Sequence, residues 1–231
     1  MSGVRSLSVS EGQMARQNTK KRRESHPDKG TVDSTRHDFA PTCIWTFKVP
    51  DHEVLNQRLM VLIEEERRKS PESRECEGRE MWQSQRSVAA DPPVKELFET
   101  IFRMANDAAE FLRWDVADCT PVCKVCWANV HSKGSYHTRH VHPATIQLSG
   151  VYYIQAPANC GDIVFHDLSR FLGLWDAAPE LLESTYQNAT SFPVTPEEGL
   201  CVLFPGYLMH EVETNRSERD RVGLAFNINF E

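Results

Sequence analysis

The stretch Arg221–Phe230, RVGLAFNINF, carries the pattern that decides the fold. Its large apolar residues recur at every second position from Val222 to Ile228, and successive side chains of a strand point to opposite faces. The other face holds Arg221, a glycine, an alanine and Asn227. An ordinary solvent-facing side would explain Arg221 and Asn227 but less easily the two small residues between them. This face therefore predicts room for a ligand.

The same period of two runs through the second half of the chain, from Pro121 onward. Turn signals such as Pro157, Gly161 and Pro205-Gly206 separate the apolar runs. The strand candidates are Val122–His131, Ile146–Gln155, Asp162–His166, Leu200–Phe204 and Arg221–Phe230.

The first half of the chain has a different period. After a strand candidate at Cys43–Val49, Asp51 is placed to cap a helix whose apolar residues recur at helical spacing from Val54 to Ile63. A polar loop is expected from Ser70 to about Glu80, and Pro92-Pro93 opens a second helix. Two helices followed by several short strands predict a mainly β fold, a barrel or double-sheet jelly roll with the N-terminal helices packed outside.

Composition suggests how this fold is distributed along the chain. Residues 1–38 have almost no large apolar side chains and are expected to be a disordered polar tail. The domain is expected over 39–231, with helical support at about 52–115 and a β core at about 121–231. The segment 168–192 lacks strand alternation and is a candidate lid, although a short surface helix over 179–186 is the plainer account.

Charge and cysteine content narrow the class of protein. The formal charge of −7 disfavours nucleic acid as a partner, and the one basic cluster, Lys20–Arg23, lies in the polar tail. Seven scattered cysteines and no apolar leader predict free thiols in the cytoplasm, and no apolar run is long enough for a membrane span. Cys123 and Cys126 have zinc-like spacing, but no second pair follows, so we interpret them as core residues. The oligomeric state has no signature in the sequence.

Three histidines form the candidate metal site. In His140-Val141-His142 the two imidazoles would share one face of a strand, whereas on a helix they would diverge. With His210 they would present three ligands to one side of a metal and leave positions for substrate and O2. Nine histidines in the chain will also produce close pairs by chance.

Residues 80–231 resemble the iron(II)- and 2-oxoglutarate-dependent oxygenases, in a branch of uncharacterised members. The resemblance is carried by four groups of residues in matching order and spacing. They are Trp82-Gln83-Ser84; His140-x-His142-Pro143 followed by Leu148-Ser149-Gly150-Val151-Tyr152-Tyr153; Phe204-Pro205 leading to His210; and Arg221 leading to Ala225-Phe226-Asn227.

The resemblance implies a double-stranded β-helix, cupin-like, and a dioxygenase. Such an enzyme uses Fe(II), O2 and 2-oxoglutarate, releases succinate and CO2, and by default hydroxylates an unactivated carbon of a small-molecule or amino-acid-like substrate. His140, His142 and His210 would hold the iron. Arg221 would bind the far carboxylate of 2-oxoglutarate, unless it makes a surface salt bridge. Ser149 would place a hydroxyl beside that carboxylate, unless it is simply a small residue in the sheet.

One ligand departs from the wider superfamily, in which the first motif ends in a carboxylate rather than in His142. A neutral imidazole leaves more positive charge on the metal, and Asp167 is an alternative carboxylate ligand. His137, three residues before His140, is expected on the opposite side of the strand, contacting a ligand from the strand's entrance.

Two other functions remain open at this point. Three neutral imidazoles also suit a thiol dioxygenase, in which iron binds the substrate directly and 2-oxoglutarate is not used. A non-catalytic barrel that binds a metal or a small acid as a sensor is the interpretation from a different class.

Overall fold

The computed structural model describes residues 42–72, 74–76, 79–166, 185 and 188–231. Two helices lie early in this part of the chain, α1 (His52–Lys69) and α2 (Pro92–Phe111). The strands in chain order are β1 (Trp45–Lys48), β2 (Arg74–Cys76), β3 (Arg79–Gln83), β4 (Pro121–His131), β5 (His137–His140), β6 (Leu148–Gln155), β7 (Ile163–His166), β8 (Ser191–Val194), β9 (Leu200–Pro205), β10 (His210–Val212) and β11 (Arg221–Phe230).

The strands form two antiparallel sheets, and this mainly β double-stranded β-helix confirms the predicted fold class. Within the described ranges, the major sheet has the order β1-β9-β6-β11-β4-β3-β2 and the minor sheet the order β5-β10-β7-β8. An apolar cluster joins the sheets, with Tyr153 and Phe204 from the major sheet against Ile163 and Phe165 from the minor sheet. The major sheet therefore has one face toward the minor sheet.

Both helices pack on the other face of the major sheet, as the sequence predicts. The apolar side chains of β11, from Val222 to Ile228, join the helices in one buried cluster. Phe98 of α2 meets Phe226 edge-on, with the ring centroids 5.3 Å apart. Full burial of each such side chain stabilises the fold by about 1.5–3 kcal/mol. This burial fixes which face of β11 remains for a site.

A buried polar pair sets the position of α1 on the sheet. The Tyr152 hydroxyl donates to Asn56 Oδ1 over 2.6 Å, and Asn56 Nδ2 donates to the Ile154 carbonyl over 3.0 Å. Tyr152 and Asn56 are both buried, so each polar atom needs the other. Because Tyr152 faces the helices, its neighbour Tyr153 faces the minor sheet.

The predicted polar loop from Ser70 to about Glu80 is wrong in part, because β2 and β3 form a hairpin there. β3 pairs with β4, which adds the hairpin to the edge of the major sheet. An edge hairpin is held by backbone hydrogen bonds and needs no apolar alternation, so its charged sequence does not signal strands. The region of helical support at 52–115 therefore also contains two strands.

Some local expectations for the helices and short strands are also corrected. Asp51 precedes α1, but its φ of 50° is left-handed and its side chain makes no capping bond. A helix cap normally has an extended backbone, from which a side chain can reach the first turn. Val54 and Val61 are exposed rather than packed, at 63% and 55%. The strands β5, β8 and β10 are too short, at three or four residues, to show a period in the sequence.

Other predictions fall outside the described residues. The tail at 1–38 lies wholly outside them, as does Asp167, and the candidate lid at 168–192 is described only at 185 and 188–192. In the described part of the chain, no helix combines the length and the apolar content that crossing a bilayer requires.

Candidate functional site

A cavity of about 120 Å³ lies between the two sheets. Its walls come from the inner faces of the central strands and include the residues singled out in the sequence. The lining residues are Gln83, Trp127, Asn129, His131, His137, His140, His142, Ser149, Gly150, Val151, Tyr153, Ile163, Phe204, His210, Val212, Arg221, Gly223 and Ala225. A larger open cleft of about 630 Å³ shares only His137 and Val212 with the cavity. Its lining includes none of His140, His142, His210 and Arg221.

The three predicted histidines converge in the cavity. His140 ends β5 and pairs in register with His210, which begins β10. His142 lies beyond the end of β5, and its backbone N–H donates to the Gly206 carbonyl over 3.0 Å. The prediction that His140 and His142 share one face of a strand therefore does not explain the position of His142. The candidate ligand atoms of the three rings lie within 4.8 Å of one another, and this is the one such group among the described residues.

Backbone carbonyls fix two of the imidazoles in the same tautomer. Nδ1 of His140 lies 2.8 Å from the Thr138 carbonyl oxygen, and Nδ1 of His210 lies 2.8 Å from the Leu208 carbonyl oxygen. A carbonyl only accepts, so Nδ1 carries the proton in both rings. Nε2 of each ring is left with its lone pair, which is the arrangement that metal-binding histidines use.

Ser149 orients the third imidazole. Its Oγ lies 2.9 Å from His142 Nε2 and 3.3 Å from the Phe226 carbonyl oxygen, to which the hydroxyl donates. The serine oxygen then accepts from His142 Nε2, which leaves the lone pair of this ring on Nδ1.

The same register separates Ser149 from Arg221. Ser149 pairs with Asn227 on β11, six residues from Arg221 and so about 20 Å along the strand. The structure therefore brings Ser149 to the histidines and not to Arg221, and its contact with the cosubstrate stays a prediction.

Burial keeps two of these imidazoles neutral. Together with a smaller effect of His140, it lowers the pKa of His142 to about 4 and the pKa of His210 to about 3. Both rings are therefore uncharged near neutral pH, so a metal ion would not have to displace a proton from either ring.

The spacing of three residues predicts that His137 and His140 lie on opposite sides of the strand. In the structure they lie on the same side. The two rings stack, with centroids 4.4 Å apart and an interplanar angle of 18°. The pairing of β10 with β5 explains the difference, because Val212 lies opposite His137 while His210 lies opposite His140. This shift adds one residue to β5, and such a bulge changes which side chains share a face.

Arg221 is buried, at 2% exposed, and makes no surface salt bridge with any residue that the structure describes. Its Nη1 donates to the backbone carbonyls of Cys160, Gly161 and Glu213, while Nη2 has no partner in the described part of the chain. Burial lowers the pKa of the guanidinium, which remains charged because arginine does not lose its proton in proteins. A buried cation held only by carbonyls is costly unless an anion joins it.

Two further buried polar atoms, also without partners among the described residues, line the same cavity, and the sequence did not predict either. They are the Tyr153 hydroxyl and His131 Nε2. His131 pairs with Arg221 across β4 and β11, and Tyr153 pairs with Gly223 across β6 and β11. Burial raises the pKa of Tyr153 and lowers the pKa of His131, so the first keeps its O–H and the second is neutral.

The small residues of β11 leave the predicted space, but for two different reasons. Gly223 and Ala225 both line the cavity. A Cβ at Gly223 would lie 2.7 Å from the Tyr152 carbonyl oxygen, so the close approach of β6 already requires glycine there. Ala225 already carries a Cβ, and its small side chain is the one that keeps the cavity open.

The residues fit a divalent metal together with a dicarboxylate. Three neutral nitrogen ligands at one end suit a borderline metal such as iron(II). At the other end, Arg221 Nη2 and the Tyr153 hydroxyl offer hydrogen-bond donors that a carboxylate would satisfy, and His131 Nε2 is a third buried atom without a partner among the described residues. Cys126, by contrast, is fully buried in the cluster beneath the helices, which confirms the core interpretation of the Cys123 and Cys126 pair.

Solved structures share this fold at low sequence identity. A prolyl-4-hydroxylase from Pseudomonas putida matches with a TM-score of 0.57 and 14% identity, covering 82% of this chain and 94% of that chain. HygX from Streptomyces hygroscopicus, solved with nickel and 2-oxoglutarate bound, matches with a TM-score of 0.53 and 13% identity, covering 82% of this chain and 83% of that chain. The epimerase SnoN from nogalamycin biosynthesis matches with a TM-score of 0.56 and 11% identity, covering 81% of this chain and 76% of that chain.

At these identities the structural matches show the fold alone, and no curated protein matches the sequence. Residues 125–227 match the family described as "Putative 2OG-Fe(II) oxygenase". This range includes His140, His142, Ser149, His210 and Arg221. The resemblance seen in the motifs is therefore confirmed: residues 125–227 of this chain match the model of the 2OG-Fe(II) oxygenase family.

Proposed function

We propose that this protein is an iron(II)- and 2-oxoglutarate-dependent dioxygenase that hydroxylates an unactivated carbon of a small molecule. The observation that carries the proposal is the pairing of two groups in one cavity. Three convergent imidazoles lie at one end, and a buried arginine with an unpartnered nitrogen lies at the other.

The histidines would hold the metal through different nitrogens. His140 and His210 would bind through Nε2, since carbonyls hold Nδ1 of each ring. His142 would bind through Nδ1, since its Nε2 contacts Ser149. When bound, iron(II) and 2-oxoglutarate together supply the oxidising power for cleaving a C–H bond with O2, with release of succinate and CO2.

The charges of the cavity favour a dianion. The three ligands are neutral, so the metal keeps both of its positive charges, and Arg221 adds one more. A dicarboxylate such as 2-oxoglutarate offsets two of these three charges. Arg221 and the Tyr153 hydroxyl would donate to the far carboxylate, and each such charge-assisted bond is roughly twice as strong as a neutral one.

The remaining walls would keep water from the reacting end. Val151, Ile163 and Phe204 line the cavity, and Phe204 packs edge-on to His210 with the ring centroids 4.7 Å apart. Dry walls strengthen the electrostatic contacts that position the cosubstrate.

A thiol dioxygenase remains the second candidate, because three neutral imidazoles suit it equally well. A thiol substrate that bears a carboxylate could use Arg221, but it would leave no requirement for 2-oxoglutarate. A sensor would bind the metal and the acid without turnover.

Anaerobic titration with iron(II) and then 2-oxoglutarate tests the proposal. We expect the weak visible charge-transfer band of a bidentate chelate in the wild type, no band in His142→Ala, and a higher 2-oxoglutarate Kd in Arg221→Ala. Arg219→Ala is the matched control, because Arg219 is exposed and lies two residues away. Iron binding without the band would contradict the cosubstrate and favour the thiol dioxygenase. A band without succinate formation or O2 consumption would favour the sensor.

A further inference from the structure

The wall of the cavity formed by β3 and β4 differs from the end that holds Arg221. Gln83 and Asn129 lie opposite each other on these strands, and Trp127 lies two residues before Asn129 on the same face. All three side chains are half-buried, whereas Arg221, His131 and Tyr153 are buried. This wall therefore reaches solvent, on the side from which a second molecule would approach.

A hydrogen bond fixes the orientation of the two amides. Gln83 Nε2 donates to Asn129 Oδ1 over 3.0 Å, so the oxygen of Asn129 is used and its nitrogen points away. No residue in the described part of the chain accepts from that nitrogen. Asn129 therefore presents an amide N–H donor inside the cavity, ready for a carbonyl or hydroxyl oxygen.

The charges of the cavity select against a cationic ligand. No carboxylate is among the described residues that line it, so an ammonium group would find no counter-ion. With metal and 2-oxoglutarate bound, the neighbouring Arg221 would already be neutralised. A neutral group is then matched best by a neutral amide such as Asn129, which supplies a donor without charge.

Trp127 adds a flat apolar surface beside the amide. It lines the cavity and pairs with Ala225 across the strands, so the side chain opposite it is small. Planar apolar groups stack on indole with a gain beyond their burial.

We propose that this wall recognises the primary substrate, and that the substrate carries a neutral carboxamide or lactam beside a planar apolar group. Asn129 donates to its carbonyl oxygen and Trp127 stacks on its planar part. The inference rests on the proposed function, because it places this group next to a metal and cosubstrate.

A matched trio of probes tests the inference on the anaerobic iron(II)–2-oxoglutarate complex. Indole-3-acetamide, indole-3-acetate and tryptamine share one ring and differ in charge. Isothermal titration should show the amide binding at least about tenfold more tightly than the other two, as expected when a site built for hydrogen bonding meets its matched group.

Asn129→Asp is the informative variant, because the carboxylate that it introduces still accepts from Gln83 but can no longer donate. We expect it to weaken the amide about tenfold and to favour tryptamine, while Asn159→Asp, the same change at an exposed position outside the cavity, leaves the order unchanged. Equal affinities for the three probes, or the same effect in both variants, would overturn the inference and leave the proposed function intact if the charge-transfer band forms. Absence of that band would overturn both.

Discussion

Arg221 and His131 lie directly opposite each other on β11 and β4, and each keeps a buried nitrogen without a partner among the described residues. Two such nitrogens side by side are unusual, because buried polar groups are nearly always hydrogen-bonded. Neither belongs to the apolar cluster beneath the helices, which lies on the other face of the major sheet. We therefore expect the pair to bind a ligand and to lower the stability of the empty protein.

Tyr153→Phe should weaken 2-oxoglutarate binding about tenfold, the loss expected for one hydrogen bond to a charged group. The measurement is the 2-oxoglutarate dependence of the charge-transfer band at saturating iron(II).

Tyr152→Phe is the control, because that hydroxyl contacts Asn56 beneath the helices. It should leave the 2-oxoglutarate Kd unchanged and reduce the free energy of unfolding by about 1–3 kcal/mol, since Asn56 Oδ1 loses its donor. Similar Kd values for wild type and Tyr153→Phe would remove Tyr153 from the carboxylate site.

The sequence predicts the longer strands and the faces of β11 because each has several repeats of an apolar period. It also predicts that His140, His142 and His210 share a metal site, from their spacing and from the family resemblance, and it adds Arg221 through the resemblance. It does not predict Tyr153, because two adjacent tyrosines in an apolar run give no sign of which one faces the cavity.

His137 shows a second limit of the sequence. Its position depends on a bulge in β5, which is set by pairing with a strand far along the chain. The spacing of His140 and His142 also does not predict the contact with a serine on β6. That contact decides which nitrogen of His142 keeps its lone pair for a metal. Such contacts arise from the tertiary fold and have no local signal.

Ser149→Ala should weaken metal binding by roughly 10- to 100-fold, the usual cost of losing a residue that orients a ligand. Competition of zinc(II) with a chromophoric chelator measures this directly and needs no turnover. Ser84→Ala is the control, because it removes another buried serine hydroxyl, one that contacts Arg86 and Ala128. That control should reduce stability without changing the metal Kd, and an equal change in both variants would assign Ser149 a purely structural role.

Ala225→Leu should block 2-oxoglutarate while sparing the metal. The added side chain enters a cavity of only about 120 Å³, between Trp127 and Val151 on the neighbouring strands. We expect at least about a tenfold higher 2-oxoglutarate Kd and an unchanged zinc(II) Kd, because the histidines lie on other strands. Ala225→Gly, which enlarges the space, should bind 2-oxoglutarate like the wild type. Unimpaired binding by the leucine variant would show that the cosubstrate lies elsewhere.

The metal-free protein should lose stability as the pH falls below about 6.5, the usual pKa of histidine. In the folded chain the pKa of His142 is about 4 and that of His210 about 3, so between these values and 6.5 the unfolded chain binds protons that the folded chain does not. The free energy of unfolding then rises with pH across this window and falls as acid is added. Urea unfolding at pH 7, 6 and 5 gives the slope of the unfolding free energy against pH. His142→Gln should reduce the number of protons taken up on unfolding by up to one. An unchanged slope in that variant would mean that His142 takes up its proton over the same pH range in the folded and the unfolded chain.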